Sequence, residues 1–194
     1  MPQFLKPSTV FEFSDRPVSR EVMLEVLGEA FVASSAGHDQ PWRFVVVTDQ
    51  GRDEMLAAMR SGFRRELQSP MLPHLGDHLS AARRSLEIAM QAPVTVFLLA
   101  SEEVPLNLPL TPEQQAGERG DQQSAELAME RMEIRATQLG LGSLWLEELD
   151  FARTELRQWL DCPGELVAGM AFGYPAERPP TSKKQRLEQY VQWR

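Results

Sequence analysis

From residue 19 to residue 33 the apolar positions Val22, Met23, Val26, Leu27, Ala30 and Phe31 recur in adjacent pairs four apart, the stripe of an amphipathic helix. Ser19 stands where a capping hydroxyl belongs. The turn-rich stretch 34–41 separates this helix from 42–48, where Phe44, Val45, Val46 and Val47 form an unbroken, largely β-branched apolar run. That run predicts a buried strand. Two further helices are predicted over 52–60 and 79–91, the second on the spacing of Leu79, Ala82, Leu86 and Ala89. A second buried strand follows over 93–100.

Residues 101–120 are mostly polar and carry three prolines and two glycines, which predicts a long surface loop or lid. Over 121–139 the positions Ala125, Ala128, Met129, Met132 and Ala136 share one helical face, and Gly140 follows as a left-handed cap. Beyond it the pattern predicts a short strand over 143–146, a helix over 151–160 stopped before Pro163, and a strand over 166–172 broken at Gly169. From Tyr174 onward the chain is polar and proline-bearing, and its Tyr190, Val191 and Trp193 need another surface to pack against. Helices and strands mix without a strict alternation and no repeat is visible, so the expected architecture is a single α+β domain over 1–194.

Composition narrows the function. With 194 residues and 42% hydrophobic content the chain can bury one good core. Asp plus Glu number 28 against 20 Lys plus Arg, a balance that repels nucleic acid and anionic membranes. Cys162 is the only cysteine, which excludes an internal disulfide and a metal site built on thiolates. The first residues lack the apolar core of a signal peptide, and the longest strongly apolar run, 94–100, is too short to span a bilayer. A cytoplasmic location is expected. His74 and His78 lie four apart, but Gly76 sits between them and no third ligand is evident, so no metal site is expected.

The segment 33–42 places small residues and Gly37 between a helix and a strand, leaving backbone N–H groups available to an acceptor-rich ligand. On residues alone it reads equally as a plain connection that buries Trp42. A resemblance adds to this. The run 30–47, with Ser35, Gln40, Pro41 and Trp42, resembles the signature that follows the first helix in the FMN-dependent nitroreductase family. In chain order, Gln138-Leu139-Gly140-Leu141-Gly142-Ser143, Gly173-Tyr174-Pro175 and Lys184-Gln185-Arg186-Leu187 are similar to three further family motifs.

The resemblance implies a mostly antiparallel central sheet flanked by helices. It also implies a homodimer whose C-terminal tails, about 174–194, embrace the partner and whose two FMN molecules lie at the interface. Electrons would pass from NAD(P)H through flavin to a nitroaromatic, a quinone or a similar acceptor. Carried over, Ser34, Ser35, His38 and Gln40 approach the flavin, Glu147 and Glu148 supply backbone groups near its reactive edge, and Lys184 and Arg186 hold the phosphate. No side chain is assigned as catalytic, because the cofactor carries the chemistry.

The departures are as specific as the matches. Where the family opens with a basic residue, a serine and a second basic residue at alternate positions, this chain reads Pro7-Ser8-Thr9-Val10-Phe11, so that Pro7, Ser8 and Thr9 meet the cofactor without the clamp. Two lost charge-assisted bonds amount to roughly 3 to 6 kcal/mol. Lys6, Arg16 and Arg20 are the nearby replacements. The family's proline and asparagine in the second motif are Ser34 and His38. These departures motivate an alternative: the same fold kept as a binding protein, with flavin binding weakened or lost.

Overall fold

A computed structural model describes residues 12–32, 42–69, 78–100, 112–146 and 148–177, with side chains at 100 and 112–122 left aside. Four strands, β1 (Trp42–Val47), β2 (Val94–Ala100), β3 (Gly142–Trp145) and β4 (Glu165–Gly173), form one sheet in the order β1-β2-β4-β3. Every neighbouring pair is antiparallel. This is the α+β, antiparallel architecture expected from the sequence.

The sheet is covered on both faces, which is why the central strand β2 shows no polar alternation. Val94, Val96 and Leu98 face α1 (Arg20–Ala30) and α4 (Pro112–Gln138), packing with Met23, Val26, Ala128, Met129 and Met132. Phe97 and Leu99 point the other way, toward α2 (Asp49–Gln68), α3 (His78–Gln91) and α5 (Arg153–Leu160). There they meet Met55, Met59, Ala89, Phe151 and Leu156. Successive residues of one strand therefore serve two cores.

Several boundaries differ from the sequence pattern. Helix α2 extends eight residues beyond the expected 60, because Gly62 and Glu66 continue its buried stripe after Met55 and Met59. The expected loop over 101–120 is shortened: residues 112–120 belong to α4, and 101–111 lie outside the described residues. Pro112 opens the helix, where a missing N–H costs nothing, and Gly117 and Gly120 are carried within it despite their poor propensity. Gly169 does not break β4. It pairs with Phe97, and the irregularity falls at Val167, where Leu98 and Leu99 pair with Ala168 and Leu166.

Other local expectations hold. Ser19 Oγ accepts from Val22 N at 3.3 Å and caps α1. Gly140 is left-handed at φ 79°, and Leu141 N reaches Ala136 O at 2.9 Å, closing the end of α4. The segment expected as one helix over 151–160 begins as a 3₁₀ turn, Leu149–Ala152, that leads into α5.

Gly28 offers a simple stability test. It lies exposed within α1, and a methyl added there would meet nothing within 4 Å. Gly28→Ala is expected to raise stability by about 0.5 to 1 kcal/mol, read as a higher denaturant midpoint at unchanged slope. A lowered midpoint would contradict the packing described for this helix.

Candidate functional site

Helix α2 approaches the turn after β3 closely at Gly62, where even a methyl group would fall 2.5 Å from Ala152 Cα and Phe151 O. That approach brings Arg65 against the turn. Its Nε and Nη2 donate to the two carboxylate oxygens of Glu155 at 3.0 and 3.3 Å, and Nη2 also donates to Phe151 O at 2.9 Å. Its Nη1 donates to Glu66 Oε1 at 2.7 Å. Burial pushes the Glu155 carboxyl up, but the Arg65 bonds and charge, with a backbone bond, more than offset this and leave it below the ordinary glutamate value. The same contacts, led by the Glu155 bond, raise Arg65.

Glu66 itself is fully buried. Its Oε2 lies 3.8 Å from Nε2 of His78, the first residue of α3, whose side chain is 2% exposed. The other ring nitrogen, Nδ1, lies 2.9 Å from Glu148 Oε2. Because a carboxylate accepts, Nδ1–H is the donor. Glu148 precedes the 3₁₀ turn and holds a left-handed backbone, φ 54° and ψ 41°, uncommon for a residue with a side chain. Its carboxylate is 43% exposed, so the chain of contacts runs from the interior to the surface.

A second junction joins the two ends of the chain. Phe13 bridges Pro175, Ser14 N donates to Tyr174 O at 2.8 Å, and Ala176 N donates to Glu12 O at 3.0 Å. Gly173 permits this, since a Cβ there would stand 2.7 Å from Phe13 and Pro93. Arg16 lies 3.7 Å over the Tyr174 ring, a cation held where the segments leading to 7–9 and following 173–175 meet. Arg20 is the first residue of α1, and Lys6 lies outside the described residues.

Of the expected site residues, Glu148 is the one within the described part. Pro7, Ser8, Thr9, Ser34, Ser35, His38, Gln40, Glu147, Lys184 and Arg186 lie outside it. Trp42, at the edge of the second motif, is buried, and its Nε1 has no hydrogen-bond partner among the described residues. Cys162 is half-buried just past α5 and accepts from Arg43 Nη1 at 3.8 Å. Among the described residues no cluster of three His, Cys, Asp or Glu could hold a metal ion, and no helix is long and apolar enough to cross a membrane.

Sequence reasoning missed Arg65, Glu66 and His78 as a group. The available signal was Glu66, a charge in phase with the apolar stripe Met55, Met59 and Gly62, hidden because the helix was expected to stop at 60. His78 was weighed only as a partner of His74.

The sequence profile of the nitroreductase family matches residues 8–174. The chain belongs to that family. Among nitroreductase-related proteins, it is 25% identical over 191 residues to an NADH dehydrogenase of Thermus thermophilus, covering 98% of this chain and 93% of that protein. It is 28% identical over 188 residues to the 5,6-dimethylbenzimidazole synthase of Rhodospirillum rubrum, covering 92% and 82%. The fold is similar to that of an FMN-dependent nitroreductase from Clostridium difficile, with a TM-score of 0.63 at 20% identity over 94% and 92% of the two chains.

Proposed function

We propose that this chain is an FMN-dependent oxidoreductase that passes electrons from NAD(P)H to an electron-poor acceptor such as a nitroaromatic or a quinone, in two half-reactions at one site. The observation that carries this reading is the family match over residues 8–174 together with the antiparallel fold. The flavin supplies hydride acceptance and electron release; the protein supplies binding, orientation and electrostatics.

The donor set suits FMN. Lys184 and Arg186 offer two cations suited to the phosphate, and Pro7, Ser8 and Thr9 are the further residues that the family resemblance assigns to the cofactor. Arg16, stacked on Tyr174 at the junction of the two ends, stands in for part of the missing basic clamp. Ser34, Ser35, His38 and Gln40 offer hydroxyl, imidazole and amide groups to the ring system. Glu147 and Glu148 are the residues that the resemblance assigns to its reactive edge.

A shared site between two copies is supported by the sheet. Trp42, which adjoins the second motif, pairs with Ala100 at one end, whereas Phe13 and Pro175 meet beyond the other end. Glu165, opposite Ala100, and Pro175 are ten residues apart, or roughly 30 Å of extended chain. A second copy, its tail 174–194 crossing over, brings the two groups around one flavin. Leu24, Phe31 and Val32 on and after α1 and Leu127 on α4 are exposed apolar residues that such a partner covers. We place this homodimer in the cytoplasm.

Purified protein mixed with FMN is expected to absorb in the blue and to melt at a higher temperature. At a hundredfold excess over Kd, binding stabilises by about 2.7 kcal/mol. Colourless protein whose melting is unmoved by excess FMN refutes this reading and favours the binding-protein alternative motivated by Pro7, Phe11 and His38. A second reading takes the flavin as the substrate rather than the carrier. Chromatography of the flavin before and after turnover separates the two, since a carrier is recovered intact.

A further inference from the structure

The structure assigns a role to a buried residue that the flavin reading leaves unused: we propose that His78 is a positioning residue, whose Nδ1–H bond to Glu148 sets the left-handed turn presented to the cofactor. This rests on the proposed flavin site for its purpose, but not for its geometry.

The turn from Glu148 to Phe151 is held at both ends from one buried support. At its start His78 Nδ1 lies 2.9 Å from Glu148 Oε2. At its end Arg65 Nη2 donates to Phe151 O at 2.9 Å. The two holders converge on Glu66, which lies 2.7 Å from Arg65 and 3.8 Å from His78 Nε2 and is fully buried. A left-handed conformation at a non-glycine residue persists only where its surroundings over-determine it. Here the anchored partner is the ring: the His78 side chain is 2% exposed at the start of α3, whereas that of Glu148 is 43% exposed. Among the described residues the ring's Nε2 makes no hydrogen bond, Glu66 Oε2 lying 3.8 Å away, so the directing bond is the one at Nδ1.

Two short amides separate this role from simple packing. Asparagine places its N–H₂ where Nδ1 was, and glutamine places its amide where Nε2 was. Three readouts apply to His78→Asn, His78→Gln, His78→Leu and Glu148→Ala: amide hydrogen exchange over residues 146–151 without ligand, FMN affinity by fluorescence quenching, and thermal unfolding. All His78 variants are expected to lose thermal stability. His78→Asn is expected to keep exchange protection and FMN affinity within about threefold of the parent, while His78→Gln, His78→Leu and Glu148→Ala each lose about tenfold in both. The double variant His78→Leu with Glu148→Ala is expected to be no worse than either single change, as for one shared bond.

The proposal is overturned if His78→Asn and His78→Leu are indistinguishable in exchange and affinity, or if the double variant adds the two losses. Parent protein that binds no FMN removes the flavin reading instead. In that case the ligand-free exchange still decides, because parent-like protection in His78→Leu shows that the ring does not hold the turn.

Discussion

Arg65→Ala is expected to lower stability by about 2 to 4 kcal/mol: its guanidinium is 39% exposed and partly screened, but its loss takes a charged partner from the fully buried Glu66 carboxylate. The reason is the number of groups that converge on one guanidinium. Glu155 accepts from it twice, Phe151 O once, and buried Glu66 at 2.7 Å. A shift of melting temperature on the order of 10 °C follows for a chain of this length. Arg65→Lys is expected to recover only part of it, since a single ammonium cannot reach all three partners.

The pH dependence provides a second, signed readout. The folded Glu155 carboxyl lies below its ordinary value of 4.5, so its contribution is fully present above that value and is lost as pH falls through the folded value. Arg65→Ala removes much of that contribution. The stability gap between parent and variant is therefore expected to narrow below pH 4.5 and to stay constant near neutrality. Denaturant titrations across that range measure it, and a gap that widens in acid would refute the assignment.

Gly62→Ala is expected to be strongly disruptive for a single added methyl. The added Cβ would stand 2.5 Å from Ala152 Cα and from Phe151 O, and 2.7 Å from Ala152 Cβ. Two of these are backbone atoms, so relief requires α2 to move off the turn. Overpacking of this kind costs about 1 to 3 kcal/mol, occasionally more. Because Arg65 and Glu66 are the next turn of the same helix, the shift also lengthens the contacts to Phe151 O and His78. Loss of protection around residues 148–151 alongside the lower melting temperature is the expected pair of results. Gly28→Ala, with nothing near it, is the control of opposite sign.

How much was legible follows from how local each signal is. Helix α1 was readable because its stripe and its Ser19 cap lie within one short window. Strand β2 was readable because both faces of the sheet are covered there, which leaves a continuous apolar run, whereas edge strand β1, expected to be buried, is so only at Trp42 and Val47, with Arg43 and Val46 exposed. Helix α4 was misjudged at its start, where two glycines and a proline suggested a loop, although a helix tolerates proline at its first position. Gly169 was misread as a break because a glycine in a strand pattern says only that something is close; Leu149, Leu146 and Phe97 are what lie there.

The sequence by itself determined the family and most of the buried elements, because those depend on order and spacing along the chain. Tertiary structure alone decided that helix α2, about two turns longer than its apolar pattern predicts, carries Arg65 and Glu66 under a turn more than 80 residues away. It also decided that His78 faces a glutamate 70 positions later. Such contacts have no period to betray them: they are selected by the shape of the folded core, where a glycine's missing methyl determines how near two segments can come.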